Sequence, residues 1–112
     1  MIRRRFDIPG YGPLNVAVAD TPWLRMRGLL GRPTLGGDEA MWIGGCNLVH
    51  TYGMRYAIDV VFADRHRRIL KVVTALRPRR IAGAWGAAQV LELPAHGAGR
   101  FGFVPGTYLP TV

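Results

Sequence analysis

The chain predicts a mainly β domain of α+β class. We expect one small β-barrel or sandwich of about six or seven short strands, with one amphipathic helix after the first strand. Three observations carry that expectation. Fifteen glycines and eight prolines among 112 residues punctuate the chain too often for long helices. The apolar stretches are short, rich in β-branched residues and bounded by turn signals. Only one stretch spaces its apolar residues as a helix does. The length suits one core rather than two, so residues 1–112 are expected to form a single domain.

Residues 1–13 read as a flexible or edge segment, because Pro9, Gly10, Gly12 and Pro13 interrupt any regular element. Leu14 to Ala19 is short and β-branched, which suits a strand. Thr21 can cap a helix and Pro22 fits its first position. Trp23, Met26, Leu29 and Leu30 then share one helical face before Gly31 stops it. This predicts a helix from Pro22 to Leu30. Residues 32–39 make a loop, and Ala40 to Ile43 a buried strand ending at Gly44-Gly45. Asn47 to Thr51 predicts another strand, with Gly53 free to turn or bulge. Ala57 to Ala63 and Arg68 to Leu76 predict a hairpin about the polar loop Asp64-Arg65-His66-Arg67. Residues 79–86, with Arg79, Arg80, Gly83 and Gly86 around Trp85, read as a loop. Gln89 to Leu93 is a strand closed by Pro94, and Pro105-Gly106 is a turn before Thr107-Tyr108-Leu109.

The formal net charge is +8, supplied almost wholly by arginine, with Lys71 the only lysine. Such a surface attracts anions, nucleic acid included. The arginines are nevertheless scattered along the chain and form no stripe, and no nucleic-acid motif accompanies them. That argues against nucleic acid as the main partner. Cys46 stands alone, which excludes an intramolecular disulfide and a cysteine-built zinc cage. The basic start MIRRRFDIPGYG is followed by no apolar stretch of signal length, and no run approaches a membrane span. The expectation is a cytoplasmic protein.

Several segments together resemble one bacterial and archaeal family. They are Val18-Ala19-Asp20-Thr21-Pro22, Arg25-x-Arg27-Gly28-Leu29-Leu30-Gly31-Arg32, His50-Thr51-x-Gly53-Met54 and Ile58-Asp59-Val60-x-Phe62. Val90-Leu91-Glu92-Leu93-Pro94-Ala95 and Pro105-Gly106 complete the set. The chain is similar in this order to domain of unknown function 192. The resemblance implies a small β-barrel-like domain with a helix after its first strand, and it brings no activity to transfer. Thr107 follows Pro105-Gly106 where many members have an aspartate, and the spacing from Met54 to Asp59 is shorter than theirs.

The densest chemistry lies between Cys46 and Asp64. Asp59 sits inside an apolar strand, where a carboxylate must be paired, hydrogen-bonded or neutral. It could be an acid, a base or a ligand anchor. The plainer and preferred reading pairs it with an arginine or with backbone N–H groups of a neighbouring loop. Glu92 alternates with Leu91 and Leu93, so it should line the outer face or a mouth if the leucines face the core. The two carboxyls could act as an acid–base pair only where they meet in space. His50 could be a ligand or base, but no second histidine or acid stands at ligand spacing, so no metal and no cofactor is expected. Cys46 and His50 are four residues apart, ~13 Å on extended backbone, which is too far for a nucleophile pair.

Arg55 has the fork geometry that suits carboxylates and phosphates. It is the first candidate for holding an anionic ligand, with Trp42 or Tyr52 as an aromatic wall. An internal Arg55–Asp59 ion pair would explain it without any ligand. The candidate binding residues are therefore Trp42, His50, Tyr52, Arg55, Asp59 and Glu92. The preferred function is a non-catalytic module that binds a small anionic ligand or a protein partner near residues 46–56. A small hydrolase or lyase using Asp59, Glu92 and His50 is the alternative, and it requires those three side chains to converge. Weak nucleic-acid binding through surface arginines is the third reading.

Overall fold

A computed structural model of the chain describes residues 2–21 and 35–111. Its strands in chain order are β1 (Ile2–Ile8), β2 (Gly12–Ala19), β3 (Glu39–Gly44), β4 (Leu48–His50), β5 (Ile58–Ala63), β6 (Ile69–Leu76), β7 (Ile81–Gly83) and β8 (Gln89–Pro94). One helical turn, α1 (Gly97–Arg100), follows β8. The helix expected over Pro22 to Leu30 lies outside the described residues. Among the described residues the helical element comes late in the chain, not after the first strand.

Six strands form one sheet in the order β1-β2-β3-β8-β5-β6, and β4 with β7 forms a separate two-stranded ribbon. All pairings are antiparallel except β2–β3, which is parallel. The expected barrel does not close, because β1 and β6 stand at opposite ends of the strand order. The physical reason is visible on both faces of the sheet. One face carries Leu14, Val16, Val61, Leu91 and Leu93, packed with Ala98, Phe101, Phe103 and Leu109 of the C-terminal segment. The other carries Met41, Ile43, Val60, Phe62 and Val90, packed with Val49 and Ala82 of the ribbon. Each face has its own cover, so the sheet buries its apolar surface without rolling up.

Two further expectations are corrected. The amino-terminal segment is a regular strand, and it is indeed at the edge of the sheet. Pro9 and Gly10 do not break it; they make the turn into β2. Gly10 and Gly12 hold φ of 81° and 98°, and the Tyr11 N–H donates to the Ile8 carbonyl at 2.9 Å. Arg3, Arg4 and Arg5 are exposed along this strand, a row of charge that protects a free edge from further pairing. The segment after Arg80 is also not all loop, since Ile81–Gly83 pairs with Leu48–His50. Gly53, with φ of 84°, makes the expected turn after β4.

The strands at the centre read as continuous apolar runs because both faces are covered. Every residue of β5 is buried, and so are the first five of β8.

Candidate functional site

Asp59 and Glu92 lie on neighbouring strands but not on the same face. In the β5–β8 ladder Asp59 is opposite Leu93, and Val60 is opposite Glu92. Successive side chains alternate across a sheet, so the two carboxyls project to opposite sides. Asp59 shares its side with α1, Glu92 with the ribbon. An acid–base pair built from them has a sheet between its members.

Asp59 is fully buried. Its Oδ1 accepts from the Ala75 N–H at 2.8 Å and the His96 N–H at 2.9 Å, and its Oδ2 from the Ala98 N–H at 3.0 Å. Two of these donors, Ala75 and His96, hold φ of 51° and 70°, the left-handed region that side-chain-bearing residues rarely adopt. The β5–β6 register shifts beside Asp59, between Ile58 and Val60, which takes Ala75 out of the regular ladder. The carboxylate thus ties a bulge and the start of α1 to β5. Arg55 is exposed and makes no ion pair with it; among the described residues the ion pair is Arg5–Asp7 at 3.8 Å.

Glu92 is 5% exposed on the face packed against the ribbon. No hydrogen bond or ion pair to its carboxyl forms among the described residues. Burial alone pushes it up to about 7 from an ordinary value near 4.5. Alternation placed Glu92 opposite the leucines as expected, but the outer face of β8 is itself a second core, so Glu92 is neither on an outer surface nor at an open mouth. Cys46 is half-buried nearby, its Sγ donating to the Leu48 carbonyl at 3.2 Å. Burial pushes the Cys46 thiol up, and the Glu92 charge adds to that rise. A thiol held protonated is a poor nucleophile.

The ribbon gathers two other candidates. Val49 and Ala82 point inward, so Leu48, His50 and Ile81 point outward. His50 Nδ1 accepts from the Tyr52 N–H at 3.2 Å, and the two rings stand 6.0 Å apart at 47°. The thread 51–54 that carries Tyr52 is pinned by Thr51. That residue is fully buried; its Oγ1 donates to the Arg77 carbonyl at 2.5 Å and accepts from the Arg80 N–H at 2.9 Å. Trp42 is elsewhere. It packs on the opposite face of the six-stranded sheet, its Nε1–H donating to Gln89 Oε1 at 2.8 Å. Thus His50 and Tyr52 come together, with Arg55 three residues beyond. Asp59, Glu92 and Trp42 each occupy separate surroundings.

Of the residues that stand out on this surface, Tyr52 was a candidate from sequence, while Leu48, Ile81 and Trp85 were not singled out. Leu48 is 61% exposed, Ile81 63% and Tyr52 51%, while Trp85 is fully exposed. Two shallow hollows flank Leu48. One of about 310 Å³ is lined by Leu48, Val49, His50, Tyr52 and Ile81. The other, about 300 Å³, is lined by Asn47, Leu48, Gly83, Ala84 and Trp85. Gly83 keeps this face flat enough for Leu48 to lie across it: a Cβ there would come 2.9 Å from Leu48 Cδ1 and 3.1 Å from the Asn47 carbonyl oxygen. The available signal was pairing of two three-residue strands, which puts Leu48 and Ile81 on one side.

Among the described residues no group of three or more histidine, cysteine or acidic side chains could hold a metal ion. No helix there is long and apolar enough to cross a membrane.

An open, doubly covered β-sheet with an apolar ribbon face defines a small mainly β domain without an assembled catalytic centre among its candidate residues. The chain belongs to the DUF192 family, described as uncharacterized ACR, whose profile matches residues 6–111. It is similar in structure to a protein of unknown function from Novosphingobium aromaticivorans, with a TM-score of 0.78 and 22% identity over 91% of this chain and 79% of that one. It is also similar to a Sinorhizobium meliloti protein provisionally named a transcription regulator, with a TM-score of 0.80 and 25% identity over 96% and 90% of the two chains. Among curated proteins none matches the chain.

Proposed function

We propose that the protein is a non-enzymatic binding module whose working surface is the outer side of the β4–β7 ribbon. One observation carries this reading: Leu48, Tyr52, Ile81 and Trp85 are large apolar side chains, each more than half exposed, gathered on one small ribbon. Water-exposed apolar clusters of this kind mark interaction sites more often than they occur idly. Of the residues proposed from sequence as ligand contacts, His50 and Tyr52 lie on this surface, and exposed Arg55 follows Tyr52 by three residues. The hydrolase or lyase alternative rests on Asp59, Glu92 and His50, which occupy three separate environments. A regulator, as one structural neighbour is provisionally named, acts through partners, and a docking face agrees with that.

The test is a thermal-shift screen of the full chain and of Leu48→Thr/Ile81→Thr against nucleotides, sugars, acidic metabolites, divalent metals and short DNA. A ligand at 100 times its dissociation constant adds ~2.7 kcal/mol, a shift of roughly ten degrees for a domain of this size. The expected result is that stabilising ligands lose their effect on the double variant. A ligand that stabilises both proteins equally, yet fails on Glu92→Gln, would move the site to the buried carboxyl and refute this reading.

A further inference from the structure

The ribbon surface has a definite electrostatic setting. The segments that build it, residues 46–58 and 77–88, contain no aspartate or glutamate, while Arg55, Arg77, Arg79 and Arg80 are all exposed. The cations are placed at both ends. At the Ile81 end, the Arg80 carbonyl accepts from the Thr51 N–H at 2.9 Å and the Arg79 N–H donates to the Thr51 carbonyl at 3.2 Å, which holds the arginine loop against Thr51 beside Tyr52. At the Gly83 end, Lys71 Nζ donates to the Gly83 carbonyl at 2.8 Å. Between them lie the two hollows, divided by Leu48.

We propose that this surface docks an acidic, extended protein segment that seats an apolar side chain in the hollow on each side of Leu48. The inference rests on the reading of the ribbon as a docking face and adds the chemistry of its occupant. The aliphatic centre supplies burial, since Leu48 and Ile81 lose most of their exposed area only beneath a closely packed partner. The cations at the rim select negative charge and speed encounter. The same rim argues against a second copy of this chain: a two-fold contact would set like rims against each other. Tyr52 and Trp85 offer ring faces that a base could stack on, but they line separate hollows divided by Leu48 and so form no continuous platform for a single strand. The shallow, protruding shape suits an extended chain better than a small molecule, whose sites are concave.

The experiment selects a random twelve-residue peptide library on the full chain and counter-selects on Leu48→Thr/Ile81→Thr. Binding of the enriched peptides and of the oligonucleotide dT12 is then measured by fluorescence anisotropy at low and moderate salt. The expected peptides carry several acids around Leu, Phe or Trp. Their affinity should fall at least about tenfold on Leu48→Thr/Ile81→Thr. It should also fall about tenfold on Arg79→Gln/Arg80→Gln at low salt, and by less as salt rises. Circular dichroism melts of both variants confirm that they stay folded. Neutral or basic peptides that still depend on Leu48 and Ile81 would preserve the docking face and overturn the acidic partner. Peptides that ignore both variants would overturn the face as well, as would a library that yields none. Tighter binding of dT12 than of any peptide would replace the protein segment with nucleic acid. Self-association abolished by Leu48→Thr/Ile81→Thr would replace it with a second copy.

Discussion

Replacing Glu92 by glutamine should remove a large pH dependence from the stability of the fold. Glu92 is 5% exposed and finds no donor among the described residues, so burial holds its carboxyl near 7 against an ordinary 4.5. Below pH 4.5 the group is neutral in both the folded and the unfolded chain, and it costs nothing through ionisation. Between 4.5 and 7 the unfolded chain releases this proton while the folded chain keeps it. Folded protein then binds more protons than unfolded, so stability falls as pH rises, by up to about 1.4 kcal/mol per pH unit. Above 7 both forms are ionised and the loss levels off. The full difference is about 3 kcal/mol, from the rise between 4.5 and about 7. Glutamine cannot ionise, so Glu92→Gln should lack this slope. The assay is urea unfolding of both proteins at pH 5, 6, 7 and 8, with the gap between them read at each pH. Histidines and other carboxylates titrate in both proteins and cancel in that gap. The variant should gain on the wild type by about 2.5 kcal/mol between pH 5 and pH 8, the remainder of the difference falling below pH 5. A gap that stays constant across this range would refute the reasoning, because it would mean that Glu92 ionises as freely in the fold as out of it.

Other outcomes follow from the same packing. Asp59→Ala should cost at least about 3 kcal/mol in urea unfolding, since the N–H groups of Ala75, His96 and Ala98 lose their acceptor together; Asp59→Asn, which keeps one acceptor oxygen, should fall between it and the wild type. His96→Gly should raise stability by up to about 1 kcal/mol in the same assay, because φ of 70° suits glycine and the bond to Asp59 uses only the backbone. Thr51→Val should cost about 1–3 kcal/mol by stranding the Arg80 N–H and the Arg77 carbonyl, and amide exchange should quicken first in the 77–80 loop. Cys46 should alkylate more slowly at pH 7.5 than a free cysteine, and its rate should still be climbing at a pH where that of free cysteine has levelled off, since burial keeps its thiol protonated.

Much of this architecture is written locally. Runs such as Val60-Val61-Phe62 and Val90-Leu91 between turn residues mark β5 and β8, and Asp64 to Arg67 marks the hairpin between β5 and β6. The Asp64 carboxylate accepts from the N–H groups of His66 and Arg68 there, as a polar turn residue should. Strand β1 was obscured because three adjacent arginines mask its alternation, and β7 because three residues are too few to show a period. The family was legible too, since its segments recur in order along most of the chain. Partnership was not. Closure of the sheet depends on whether β1 meets β6, strands separated by more than half the chain. The place of Glu92 depends on a ribbon that covers the second face of β8, and alternation cannot tell a covered face from a wet one. Asp59 could be read as needing partners, but only the fold shows that they are three backbone N–H groups, not Arg55. The exposed ribbon surface arises only when residues 48–50 meet residues 81–83. Local sequence therefore determined which segments are strands and which polar residues must be satisfied. Tertiary structure decided what satisfies them and which side chains are left facing water, because both depend on contacts between residues far apart in the chain.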